Sequence, residues 1–219
     1  MLPAIFLMMI AQAYVNSAYN KWGKIRNQRN ITGSEAAERL IRAARLHDLQ
    51  IQKIRGNLTD HYDPRSKTLR LSQGVADVPS VAALAIAAHE LGHAQQDQDE
   101  YFPLKFRAAL VPMVNIGSYL GWILIIGGLL LNAANLSWLG VAFFSGGAIF
   151  ALATLPVELN ASARAKAMLA ETGLVTSPEE TSGVRNVLNA AALTYVAGLF
   201  QAIMQLLYFV SLVGGRRRN

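Results

Sequence analysis

Cysteine is missing from all 219 residues. No disulfide can form, and no metal site can use thiolates, so any bound transition metal must be held by histidine and carboxylate. Histidine is scarce as well, with only His47, His61, His89 and His93. Charge is thin: charged residues make up 16% of the chain and hydrophobic ones 53%. A soluble globular chain carries about 25% charged residues, so much of this surface is expected to face lipid. The balance of charge is positive, +6, yet no basic run is interleaved with aromatics. The cations sit beside apolar stretches instead, with Lys21, Lys24, Arg26 and Arg29 after the first and Arg216, Arg217 and Arg218 after the last. That placement fits anchoring at a lipid bilayer and argues against nucleic acid as a partner. Internal repeats and low-complexity segments are also lacking.

Four apolar stretches are present. Residues 2–19 form the first, with positive charge after rather than before it. A secretory signal peptide has the opposite order, so the stretch reads as an uncleaved first span, the other reading being an amphipathic helix lying in the membrane interface. Residues 108–131 and 136–157 carry no charge and are joined by only four residues, Asn132 to Asn135. They are expected to form a helical hairpin through the bilayer. Gly117, Gly121, Gly127, Gly128, Gly146 and Gly147 suit close packing of its helices. Residues 190–213 form the last span, ahead of the arginines.

The polar segments between the spans carry the local signals. Thr32 or Ser34 can cap a helix over AAERLIRAARLHDL. Over residues 51–72 the period changes. IQKIRGNL and KTLRLS alternate apolar and polar residues around a turn region, Asp60-His61-Tyr62-Asp63-Pro64-Arg65, which predicts a small β-hairpin. Ser80 is placed to cap a helix running VAALAIAAHELGHAQQDQ.

That helix contains His89-Glu90-Leu91-Gly92-His93. Positions i and i+4 lie one turn apart on the same face, so the two imidazoles can hold one ion together. Glu90 beside the first ligand is placed to act as general base toward a zinc-activated water. Gly92 leaves room for another backbone. H-E-x-x-H alone also occurs on helices with two surface histidines, but here it follows an apolar run and holds half the histidines of the chain. A catalytic zinc takes three protein ligands and keeps one position open. His47 and His61 lie upstream. Downstream, Glu158 is the first charged residue after residues 108–157 and opens a polar helix in which Asn160 and Ser162 can support the site. By position alone Glu158 reads equally well as a membrane-boundary carboxylate.

Four segments together, Leu58 to Pro64, Lys67 to Ser72, Ala87 to Gln95 and Leu155 to Ser162, resemble the YugP-like neutral zinc metallopeptidases of bacterial membranes. The chain more distantly resembles the gluzincin membrane proteases, in which the H-E-x-x-H helix is followed by a second helix with a glutamate ligand. The resemblance implies one catalytic Zn2+ held by His89, His93 and Glu158, with Glu90 as base. It also brings in the segment around His61 and Tyr62, either of which can donate to a tetrahedral oxyanion. The other reading of that segment is a turn set by Asp63-Pro64, flanked by strands that offer an edge to an extended substrate.

The fold class expected is mainly α: a multi-span helical membrane protein with a small zincin-like α+β catalytic part that includes a β-hairpin. The expected order is a first transmembrane helix over 1–20, a soluble part with the hairpin and the H-E-x-x-H helix over 21–105, and a transmembrane hairpin over 106–157. A third-ligand helix and loop over 158–188, a last transmembrane helix over 189–213 and a basic tail over 214–219 complete it. Eight lysines and arginines (Lys21, Lys24, Arg26, Arg29, Lys105, Arg107, Arg164, Lys166) flank the spans on the catalytic side, against three at the C-terminus. The positive-inside rule then faces the catalytic part to the cytoplasm of a multi-pass bacterial membrane protein. The activity expected is a membrane-bound zinc endopeptidase acting on peptides or membrane proteins, with a role in membrane protein quality control. A non-catalytic scaffold with a structural metal is the alternative, and it has no need of Glu90. An intramembrane protease with an aspartate ligand in a later span is excluded, because the last three spans contain no aspartate.

Overall fold

The computed structural model describes residues 2–215, so the expected tail arginines 216–218 lie outside the described residues. In chain order the elements are α1 (Leu2–Trp22), α2 (Gly33–Ala43), β1 (Gln50–Ile54), β2 (His61–Asp63), β3 (Thr68–Ser72), α3 (Gln73–Ala76), α4 (Val81–Gln98), α5 (Phe102–Leu130), α6 (Ala134–Glu171) and α7 (Pro178–Gly215). The chain is mainly helical with one small sheet. α1, α5, α6 and α7 are long and apolar enough to cross a membrane.

Two compact units are present: Ala11–Tyr101 with Glu158–Leu193, and Met1–Ile10 with Phe102–Val157 and Thr194–Asn219. The first contains the sheet and α4. Its helices start where side chains can satisfy the free amides of the first turn. Thr32 Oγ1 accepts from the Glu35 amide while the Glu35 carboxylate accepts from the Thr32 amide, a reciprocal capping box. These bonds hold the Glu35 carboxyl below its usual range. Ser80 Oγ accepts from the Ala83 amide and starts α4. The first half of α4 is alanine-rich and almost wholly buried; small side chains let α2, α3 and the sheet approach it on all sides. Leu40, Leu69, Leu71, Val75, Leu84 and Leu91 are fully buried in the resulting core. Each contributes roughly 1.5–3 kcal/mol through burial.

The sheet departs from the expected hairpin. β1 and β3, the two alternating segments, pair in parallel with Ile51 opposite Leu69. β2 comes from the expected turn region and pairs antiparallel with β3, His61 opposite Arg70. The order is β1-β3-β2, so the hairpin present is β2–β3. The chain reverses twice between β1 and β3, once around Gly56 and Leu58, both at positive φ, and once at residues 64–67, where Lys67 has positive φ. Two reversals restore the strand direction. The second is pinned by Asp63, whose carboxylate accepts from the Arg65 amide, the Ser66 hydroxyl and the Arg70 guanidinium. Its acidity is accordingly well above that of a free carboxyl, with the Arg70 hydrogen bond the largest cause. β3, flanked on both sides, buries Thr68, Leu69, Leu71 and Ser72.

In the other unit, α5 crosses α6 through glycines. A Cβ on Gly140 would lie 2.6 Å from the Ile125 nitrogen and 2.8 Å from the Gly121 carbonyl oxygen, and one on Gly121 3.0 Å from the Gly140 oxygen. Gly117 and Gly128 are similarly close to neighbours, whereas Gly127 meets nothing within 4 Å and Gly146 and Gly147 only side-chain atoms near that distance. Gly146 is nonetheless buried, and Gly127 and Gly147 are half-buried. Trp122, Phe144 and Phe209 interlock edge to face, with ring centroids 4.8–6.1 Å apart. α6 runs unbroken through Pro156 and Glu158; the polar helix expected to open at Glu158 is the continuation of the third apolar stretch. α7 likewise begins at Pro178, ahead of its apolar part.

Candidate metal centre

The site lies within the unit that holds the sheet. α4 supplies His89 and His93 one turn apart, with ring centroids 4.9 Å apart and planes at 86°. The 158–171 part of α6 lies against this face of α4. A Cβ on Gly92 would sit 2.5 Å from the Ala161 carbonyl oxygen and 3.1 Å from its Cα, so only glycine permits the approach that brings Glu158 to the histidines. Glu158 Oε2 is 3.3 Å from His89 Nε2 and 3.5 Å from His93 Nε2. Donors held 2.0–2.2 Å from a common tetrahedral centre stand about 3.3–3.5 Å apart. Two imidazole nitrogens and a carboxylate oxygen, so spaced and buried or nearly so, fit a zinc ion. Among the described residues these three form a group whose donor atoms all lie within 4.8 Å of one another, and neither His47 nor His61 belongs to it.

Both rings turn Nε2 inward because Nδ1 is occupied elsewhere. Ser162 Oγ lies 3.2 Å from His89 Nδ1, and the side-chain oxygen of Gln96 lies 3.0 Å from His93 Nδ1. Burial disfavours a charged His93 ring, but the Glu158 and Glu90 carboxylates outweigh it and raise its pKa. Glu90 is recessed rather than sealed: some of its surface is accessible, yet burial raises its carboxyl pKa, with His89 and His93 opposing the shift and Glu158 and Asp60 adding to it. Its Oε2 accepts from the Tyr62 backbone amide at 3.1 Å. β2 therefore reaches Glu90 through main chain. The Tyr62 hydroxyl donates to Asp97 at 2.7 Å, where Lys67 also ends. The His61 ring is exposed and lies 2.8 Å from the Thr59 carbonyl oxygen through Nδ1. The side chains of His61 and Tyr62 are thus engaged away from the histidine–glutamate cluster. Asp60, before β2, accepts from the amide and hydroxyl of Ser72 and ties the strand to the start of α3. Burial raises its pKa despite these bonds. Asn160 accepts from Gln96 and Arg164. From sequence alone Gln96 and Asp97 had no role and Arg164 only that of a cation flanking a span; the one signal for Gln96 was its place three residues after His93, on the same helical face.

A family profile described as "Putative neutral zinc metallopeptidase" matches residues 1–214. The chain belongs to this family of neutral zinc metallopeptidases. Among curated relatives, the "Putative membrane protease YugP" of Bacillus subtilis (strain 168) is 42% identical over 219 residues, covering all of this chain and 97% of that protein. No solved structure matches the chain. The family's description implies zinc, and His89, His93 and Glu158 offer a nitrogen–oxygen donor group of the kind zinc takes in a chain without cysteine.

Proposed function

We propose that this protein is a membrane-bound zinc endopeptidase in which His89, His93 and Glu158 hold the ion and Glu90 is the general base. The observation that carries the reading is the convergence of three metal-type donors from α4 and α6 with a recessed carboxylate on the residue next to the first of them. When bound, zinc supplies Lewis acidity, polarising a peptide carbonyl and acidifying water. Glu90 takes a proton from the attacking water and delivers it to the leaving amine nitrogen. A carboxyl whose pKa is raised by burial is a better acceptor near neutral pH than an ordinary one. The Tyr62 amide holds Glu90 Oε2 in place from β2. Because β2 is an edge of the sheet, an extended peptide adding to it runs past Glu90.

The substrates on this reading are peptide segments of membrane proteins, and the physiological role is clearance of damaged ones. The count of positive charges supports a catalytic part facing the cytoplasm. The test is metal analysis and casein cleavage by the purified full chain beside Glu90→Gln. Zinc in both proteins with cleavage only by the wild type is expected. Equal cleavage by both refutes the role of Glu90, no zinc in either refutes the site, and zinc without cleavage in either leaves a metal-bearing scaffold.

A further inference from the structure

Tyr62 is held by α4 at both ends. Its backbone amide donates to Glu90 Oε2 at 3.1 Å and its hydroxyl to Asp97 Oδ2 at 2.7 Å. Glu90 and Asp97 are two turns apart on one face of α4. A single residue of β2 is therefore laid along the helix between the proposed base and a second carboxylate. Other bonds of this segment run elsewhere. Asp63 accepts from Arg65, Ser66 and Arg70 within the hairpin, and Asp60 from Ser72 at the end of β3. They hold β2 to β3 and do not set its position along α4.

A carboxylate base must present one oxygen to the water, and a glutamate side chain turns about several bonds. The amide on Oε2 fixes Glu90 and leaves Oε1 to take the proton. That amide is only as well placed as its strand, and β2 is three residues long at an edge of the sheet. Asp97 removes the freedom. Its carboxylate accepts from a half-buried phenol, a charge-assisted bond of the stronger kind. The Lys67 ammonium reaches the same oxygen from the reversal at residues 64–67; half exposed, that pair adds little. We infer that Asp97, acting through the Tyr62 hydroxyl, is a positioning residue for the base: it sets β2 along α4 so that the Tyr62 amide holds Glu90. Its own bonds go to Tyr62 and Lys67, so its loss reaches the rate and not the ion.

The inference rests on Glu90 being the base, and the experiment keeps the two apart. Cleavage of labelled casein gives kcat and KM, and chelator competition gives zinc affinity. Hydrogen exchange of the Tyr62 amide, read by NMR on the zinc-free full chain in detergent, reports the anchoring without activity. Asp97→Ala should lower kcat about 10–100-fold, the loss that about 1 Å of misplacement brings, with zinc affinity unchanged. Exchange of the Tyr62 amide should rise at least about 10-fold, while the Ser72 amide, bonded to Asp60, exchanges as in wild type. Asp97→Asn keeps an acceptor for the hydroxyl and restores both readouts. Tyr62→Phe, which removes one oxygen, reproduces Asp97→Ala, and the double variant loses no more than either. In the Glu90→Gln background Asp97→Ala lowers the residual rate no further. Circular dichroism reports folding; should Asp97→Ala not fold, Tyr62→Phe carries the test. Wild-type kcat or wild-type Tyr62 exchange in a folded variant overturns the inference. So do additive losses in the double variant, a further loss on top of Glu90→Gln, or a matching loss of zinc affinity, each of which marks general damage to the fold. A raised KM at unchanged kcat overturns it too, since only a substrate edge is then lost. Equal cleavage by wild type and Glu90→Gln, or none by either, refutes the role of Glu90, while Tyr62 exchange still decides whether Asp97 holds the strand.

Discussion

Replacing Gly92 by alanine tests whether the closeness of α4 and α6 makes the site. The added Cβ falls 2.5 Å from the Ala161 oxygen, where carbon–oxygen contacts need about 3.3 Å. The obstructing atoms are backbone within a helix, so relief requires α6 to move back by about 0.8 Å. Overpacking of this kind costs about 1–3 kcal/mol, an apparent Tm loss of about 2–12 °C at 2–4 °C per kcal/mol. The displaced segment also carries Ser162, which touches His89, and Glu158, one turn earlier. Zinc affinity should therefore fall at least about 10-fold. Melting curves and chelator competition on the detergent-solubilised chain measure both effects. Gly127→Ala is the matched control: nothing lies within 4 Å of its Cβ, so it should leave zinc binding intact and gain up to about 1 kcal/mol of helix propensity. Wild-type melting and wild-type zinc affinity in Gly92→Ala would refute the reasoning.

Glu90→Gln should keep zinc and lose at least about 100-fold in peptide hydrolysis, because the amide oxygen can still accept from Tyr62 but the base is gone; metal analysis beside a cleavage assay checks it. In the zinc-free protein the folded pKa values of Glu90 and His93 lie above their unfolded values. Their stabilisation is complete below the unfolded values, about 4.3 and 6.5, and is lost as pH rises through the folded ones. Zinc-free wild type should accordingly melt lower as pH rises from mildly acid to neutral and alkaline, and Glu90→Gln should melt higher than wild type at neutral pH, with the difference shrinking toward acid; a pH series of melts decides. Thr32→Ala removes the capping box of α2 and should cost about 1 kcal/mol without altering zinc affinity, since α2 contributes no ligand; denaturation and chelator competition on the same sample test both halves.

Features with a local cause could be read from the sequence. The caps at Thr32 and Ser80, the four apolar helices and the i, i+4 histidines each follow from residues within a turn or two of one another, and the structure has all of them. Glu158 was a candidate because charge returns there after fifty uncharged positions. Features set by distant partners were not legible. KTLRLS has the alternation of a half-buried strand but occupies the centre of the sheet, and His61 to Asp63, part of a stretch expected to turn, forms a strand because β3 offers it a partner. Polarity suggested a boundary at Glu158, yet the helical hydrogen bonding of α6 is indifferent to it. Gln96 and Arg164 lie 68 positions apart and both bond Asn160, and no spacing rule connects them.

The central claim is that His89, His93 and Glu158 together hold one catalytic zinc. Zinc content of the purified full chain, measured in parallel on wild type, Glu158→Gln and Glu90→Gln, tests it most directly. The account predicts about one zinc per chain in wild type and in Glu90→Gln, and loss of zinc from Glu158→Gln, in which a neutral amide replaces the anionic ligand. Full zinc occupancy in Glu158→Gln would contradict it.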